Sequence, residues 1–186
     1  MKKVRWGVLS TAGIAQKEQI PAFLRSSNAV VTAIATGSGI EKAIEVAKRF
    51  SIEKTYDSYE KLLDDPDIDA VYIPLPNHLH KKWVIEAARR GKHILCEKPA
   101  AISADEVREM ENACKDNDVL FMEAFMYFFH PQHERVKEII DSEFWIGYGM
   151  DMNRFWLSAQ NVSKRMNGIA TDIINASASR FIAHFN

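Results

Sequence analysis

The chain has 186 residues, enough for one full domain and the start of another. Its hydrophobic share of 47% suits a packed core, and its charged residues, 26% of the chain, balance to a formal net charge of -1. That balance gives no sign of a polybasic surface for nucleic acid or membrane, and no apolar run is long enough to span a bilayer.

The first element is VRWGVL, residues 4–9, an apolar run after two lysines. Arg5 and Gly7 interrupt it and no small-residue cleavage site follows, so it reads as a strand and not as a secretory leader. AVVTAIAT (29–36), AVYIPL (70–75), HILCE (93–97) and VLFMEA (119–124) repeat the type. Runs apolar on both faces suit a parallel sheet covered by helices on each side. Helical periodicity fills the gaps. EKAIEVAKRF (41–50) places Ala43, Ile44, Ala47 and Phe50 on one face. HKKWVIEAARRG (80–91) carries Trp83, Val84 and Ala87 on one stripe and stops at Gly91. Ser103 and Glu106 form a capping box at the head of a helix that buries Val107, Met110, Ala113 and Cys114. The alternation predicts an α/β, doubly wound parallel sheet over residues 1–125. Beyond it, HPQHERVKEIID (130–141) reads as a helix with Pro131 in its first turn, and GMDMNRFWLS (149–158) as a strand. Residues 126–186 are expected to begin a second domain. The two cysteines, Cys96 and Cys114, are too few for a disulfide framework and read as reduced core thiols of a cytoplasmic protein.

Three loops at strand ends carry the candidate chemistry. A dinucleotide needs a tight first βα turn whose amides and helix start face the pyrophosphate. Here Ser10, Thr11, Ala12 and Gly13 stand where the glycines of a G-x-G-x-x-G would; all are small, and two carry hydroxyls. After the second long strand, Thr36, Gly37 and Ser38 supply neither the acid that holds the ribose of NAD nor an arginine for NADP; with Lys42 one turn on, they favour NADP. After AVYIPL, Pro74, Leu75 and Asn77 shape a stiff exit, with Asn77 a possible helix cap and His80 packed on the loop. His78 and His80 do not share a helix face, and His130 and His133 lack acidic partners, so no metal site is expected. Last, HILC runs into Glu97, Lys98 and Pro99. Alone, that tripeptide reads as a strand-end salt bridge followed by a proline stop.

Together these pieces resemble the Gfo/Idh/MocA oxidoreductases (glucose–fructose oxidoreductase, inositol dehydrogenase and relatives). The carrying stretches are RWGVLSTAGIA (5–15), YDSYEKLLDDPDIDAVYIPLPNHLH (56–80), AARRGKHILCEKPAAIS (87–103) and LFMEAFMYFFHPQHERVKEII (120–140). The combination of P-N-x-x-H with E-K-P is the specific signal, and the STA and MEAFM segments look closest to the dihydrodiol dehydrogenase and glucose–fructose oxidoreductase branch. The resemblance implies a Rossmann domain for NADP or NAD, followed by an α/β domain on an open antiparallel sheet that often forms the oligomer interface. It implies that Ser10 to Ile14 line the pyrophosphate and that Thr36 to Ser38 approach the adenosine ribose. Pro74 to Asn77 and His80 would lie near the nicotinamide half. Glu97 and Lys98 would lie beside the nicotinamide ring, with Lys98 touching the substrate oxygen.

The chain also departs from that pattern. Relatives in the branch often have arginine where Gly37 stands, and Tyr-Arg-Phe-His-Pro where this chain reads Tyr127, Phe128, Phe129, His130, Pro131. Of the second-domain motif that shares proton transfer, only Asp172 is kept. The C-terminal domain is therefore expected to be truncated or divergent. The function expected is hydride transfer between a nicotinamide and a sugar, polyol or related hydroxyl or carbonyl compound, with Lys98 as the catalytic residue. The alternative is a dinucleotide-binding protein without turnover, or an inactive truncated relative. A homo-oligomer is expected if the second domain is complete.

Overall fold

The computed structural model describes residues 3–141. Six strands form one parallel sheet: β1 (Val4–Leu9), β2 (Ala29–Ala35), β3 (Lys54–Tyr56), β4 (Ala70–Ile73), β5 (His93–Cys96) and β6 (Phe121–Glu123). Their order across the sheet is β3-β2-β1-β4-β5-β6. The chain winds outward from β1 to one edge, returns, and winds from β4 to the other. This is the doubly wound Rossmann order, with its switch between β1 and β4. The expected strand at 149–158 lies outside the described residues.

Helices cover both faces because the strands are apolar on both. On one face Val4, Trp6, Val8, Tyr72 and Leu95 pack under the helical run after β1, whose last part is α1 (Ile20–Arg25), and under α2 (Ile40–Phe50). Trp6 stacks on Phe23 at 4.4 Å, and Phe23 meets Tyr72 edge-on at 6.3 Å. On the other face Leu9, Val71, Ile73 and Ile94 meet α3 (Tyr59–Leu63), α4 (Asn77–Arg89) and α5 (Ala104–Asp116) through Leu62, Trp83, Val84 and Met110. Gly7 in β1 is needed for this packing, since a Cβ there would come 2.5 Å from Leu62 Cδ2. Both cysteines are buried and free, and burial pushes the Cys114 thiol up to about 11. Beyond β6, α6 (Pro131–Asp141) begins at Pro131.

Some local expectations are corrected. Val46, not Ile44, completes the buried stripe of α2; Ile44 is exposed, because the stripe follows Ala43, Val46 and Ala47 at i, i+3 and i+4. Asn77 is not a cap but the first residue of α4; Pro76 holds the cap position and its carbonyl accepts the Leu79 N–H at 2.8 Å. The cap at Ser103 forms, with its Oγ accepting from Glu106 N–H, although the Glu106 carboxylate reaches back to Ile102 N–H instead of the cap residue.

The N-terminal edge of the sheet is closed by charge. Arg5 forks onto Asp69 and Asp67, and Lys54 bridges Asp65 and Asp67 at 2.9 and 2.8 Å. The Tyr56 hydroxyl donates to Asp65, and buried Lys92 donates to the carbonyls of Asp65 and Ile68. Burial alone would raise the Asp65 carboxyl, but Lys54, the Asp67 N–H and Tyr56 outweigh it, leaving Asp65 below the ordinary carboxylate value. A depressed folded value gives stability that is present above the unfolded value, about 3.9 for Asp, and is lost as pH falls through the folded one. Melting temperature is therefore expected to drop as pH is lowered through the carboxylate range. In Asp65→Asn the neutral-pH melting point falls, and the further loss on acidification shrinks. An unchanged acid slope in the variant would remove Asp65 from this account.

Candidate functional site

At the opposite, C-terminal edge, polar groups gather where β1, β2, β4 and β5 end. Ser10 leaves β1 at φ +149°, and its Oγ accepts the Ala12 N–H at 3.0 Å, which tightens the turn and leaves the hydroxyl proton to donate. Helical backbone starts at Gly13, and the bond from Gln16 N–H to the Ala12 carbonyl closes its first turn. The amides at this helix start therefore have no partner within the helix. Gln16 also ties the loop down, donating to the Thr11 carbonyl at 2.7 Å while accepting from Arg49 of α2 at 2.9 Å. Gly13 is exposed, and a Cβ built on it would meet nothing within 4 Å. Neither packing nor backbone angle requires glycine there. The open approach to the helix start is what a bulky anionic group needs.

At the end of β2, Thr36 is buried and Oγ1 accepts the Ser38 N–H at 3.2 Å. Gly37, Ser38 and Gly39 are exposed. The Tyr59 ring supports the turn: a Cβ on Gly37 would lie 3.4 Å from its hydroxyl. Gly39 adopts φ +94° and turns the chain into α2. A carboxylate does reach this turn, though it comes from within α2. Glu41 folds back so that its Oε2 would be 2.9 Å from a Cβ on Gly39. Lys42 beside it is exposed.

Pro74 and Leu75 are buried at the end of β4. His80 is fully buried one turn into α4, with Nε2 2.6 Å from the Leu75 carbonyl and Nδ1 3.0 Å from the Pro99 carbonyl. It joins the β4 exit to the Glu97–Pro99 loop, and both its ring nitrogens face backbone. The Lys98–Pro99 peptide is cis. The same loop is held from β6 by Glu123, whose carboxylate accepts the Ala100 N–H at 2.8 Å. His130 and His133 are likewise engaged locally: His130 Nδ1 accepts the Gln132 N–H, and the His133 ring stands edge-on to Tyr127.

Glu97 and Lys98 do not pair. Glu97 Oε1 accepts from the buried Tyr72 hydroxyl at 2.6 Å, and Oε2 accepts the backbone N–H of Lys98 at 3.2 Å. Burial, and then the neighbouring Glu97 charge, push the Tyr72 phenol far up, so it remains a donor. The Lys98 side chain is exposed and makes no ion pair among the described residues. A strand-end salt bridge is thus not what this tripeptide builds.

Residues 4–125 match the model of an oxidoreductase family with an NAD-binding Rossmann fold, GFO_IDH_MocA. The chain belongs to that family. It is 50% identical over 138 residues to D-xylose 1-dehydrogenase (NADP(+)) 2 of Haloferax volcanii, covering 74% of this chain and 42% of that one. It is 37% identical over 138 residues to trans-1,2-dihydrobenzene-1,2-diol dehydrogenase of Mus musculus, covering 74% and 41%. Among solved structures, KijD10 of Actinomadura kijaniata, a 3-ketoreductase in complex with NADP and TDP-benzene, superposes with a TM-score of 0.71 at 36% identity. That match covers 76% of this chain and 43% of KijD10. The chain thus spans about two-fifths of the length of the relatives it matches. Sequence reasoning singled out the first loop and the Glu97–Lys98 pair but not Tyr72, Glu123 and Glu41, whose polar groups the structure brings to the same edge. Tyr72 looked like an ordinary apolar strand residue; only the strand order shows that its hydroxyl meets Glu97.

Proposed function

We propose that this chain is the nucleotide half of an NADP-dependent oxidoreductase acting on a sugar, polyol or related hydroxyl or carbonyl compound. The observation that carries the reading is the Lys98 ammonium, unpaired among the described residues and standing at the sheet edge beside a carboxylate held by other groups. Residues 1–125 would hold the dinucleotide, and residues 126–186 would begin the substrate domain. Ser10 to Ile14 would take the pyrophosphate, Thr36 to Ser38 with Lys42 the adenosine ribose and its phosphate, and Pro74, Leu75 and Asn77 the nicotinamide side. His80 would act from behind by fixing the loop. Bound there, NADP(H) would supply or accept the hydride. Lys98 would stabilise the negative charge that develops on the substrate oxygen and exchange a proton with it. The named cofactor of the Haloferax relative and the NADP bound to KijD10 support NADP over NAD. Among the described residues no helix is long and apolar enough to cross a membrane.

The test couples an NADPH titration on tryptophan fluorescence to absorbance at the nicotinamide band with aldoses, ketoses and polyols. Saturable binding with turnover on a member of the panel is expected. Binding with no turnover on any substrate would favour the dinucleotide-binding protein without catalysis. Cofactor choice has its own check in Gly37→Asp. The space beside Tyr59 admits a side chain at ordinary contact distance, so the fold survives. The new carboxylate would repel a 2′-phosphate and accept from a 2′-hydroxyl. NADPH affinity is expected to drop by about tenfold or more while NADH affinity holds or improves, a cost of about 1.4 kcal/mol. An unaltered NADPH/NADH ratio would move the ribose site elsewhere.

A further inference from the structure

Glu97 and Lys98 are adjacent and oppositely charged, yet they do not pair. Successive extended residues face opposite sides, and past the end of β5, where a long lysine could fold back, a second restraint comes from one strand away. Tyr72 is 0% exposed in the middle of β4, its ring packed edge-on to Phe23. Its hydroxyl is its one polar side-chain atom, and burial obliges that hydroxyl to find a partner. The register of β4 on β5 pairs Tyr72 with Leu95, and Glu97, two residues on, emerges on the same face. The hydroxyl therefore meets Glu97 Oε1 at 2.6 Å, while the Lys98 N–H occupies Oε2. One carboxylate oxygen is thus held from β4 and the other by the backbone of the residue that follows, and the Lys98 ammonium is left without an ion pair among the described residues.

We propose that Tyr72 is a positioning residue, holding the Glu97 carboxylate away from the Lys98 ammonium so that Lys98 meets the substrate oxygen unpaired. The inference rests on the role given to Lys98 above. Its consequence for Lys98 can nevertheless be read without turnover.

Trace acetylation at fixed pH, followed by peptide mass spectrometry, reports how free each lysine amine is. The chain carries its own references: Lys81 is paired with Glu109 at 2.7 Å, and Lys42 is exposed and unpaired among the described residues. In the wild type Lys98 is expected to label like Lys42. In Tyr72→Phe, which keeps the ring and removes the hydroxyl, Lys98 labelling is expected to fall at least threefold, toward that of Lys81. In Tyr72→Phe/Glu97→Gln, with no charge left to pair, it is expected to return to the wild-type level. Glu97→Asp, too short to reach the hydroxyl and leaving the buried ring untouched, is expected to reproduce the fall; it decides the matter if the Tyr72 variant does not fold. On the substrate that turns over, kcat should fall with the labelling while KM for NADPH stays put. Unchanged Lys98 labelling in both folded single variants would overturn the proposal, as would a fall that the double variant fails to rescue. A wild type that labels as predicted but turns over nothing would defeat the enzymatic reading and leave the Tyr72–Glu97–Lys98 arrangement standing.

Discussion

Lys98→Ala is expected to lower kcat by about 10²–10³-fold, the loss seen when one preorganised donor to a developing oxyanion is removed, while NADPH binding changes by less than about twofold. The two effects separate because Lys98 is exposed and pairs with no described residue, so its side chain supports no part of the fold. Melting temperature should not move. Lys98→Arg keeps the charge but replaces a compact, rotatable ammonium with a planar fork on a longer stem, and is expected to recover only a small part of the rate. Fluorescence titration, steady-state kinetics and thermal melting on the same three proteins check this. A Lys98→Ala protein with unimpaired kcat would take the substrate oxygen away from Lys98.

The second large effect is expected at Gly13. Gly13 opens the helix with a φ outside the left-handed region, and a Cβ there meets nothing within 4 Å. Gly13→Val should therefore fold like the parent. Yet the added methyls stand in front of the helix start, where a pyrophosphate must come within hydrogen-bond distance of backbone amides. NADPH affinity is expected to fall by about 100-fold, or about 2.7 kcal/mol. Binding retained in Gly13→Val would show that the dinucleotide does not cross this turn. An unchanged melting point with binding lost would be hard to obtain at a residue kept for packing, as Gly7 is beneath Leu62.

Much of this edge was legible in the linear sequence because each loop follows a strand apolar on both faces. Parallel pairing forces all such strands to end on one side, so Ser10, Thr36, Pro74 and Glu97 had to share an edge once the alternation was read. What escaped were features set by partners distant in the chain. β3 is only three residues, Lys54–Tyr56, each half-buried, and it exists because β2 offers it an edge. The helical run from Gly13 contains a wider π-wound stretch at Ala15–Gln19, and no local pattern marks it. Glu41 stands beyond the strand end where an acid would be sought, and the positive φ of Gly39 folds it back. The Glu97–Lys98 pair shows the limit best. Alternation along the strand already set Glu97 and Lys98 on opposite faces, but that the Glu97 carboxylate is held by the hydroxyl of Tyr72, 25 residues earlier, could not be read from the chain.

The central claim is that a dinucleotide lies across the C-terminal edge of the sheet, from the Ser10–Ile14 turn to Glu97 and Lys98. Amide chemical-shift mapping of the isotope-labelled protein on titration with NADPH tests it directly and needs no substrate. The largest shifts are predicted at Thr11 to Ile14, Gly37 and Ser38, Leu75 and Asn77, and Glu97 and Lys98, with Arg5, Asp65 and Lys92 at the opposite edge unmoved. Shifts confined to that opposite edge, or none at saturating NADPH, would contradict it.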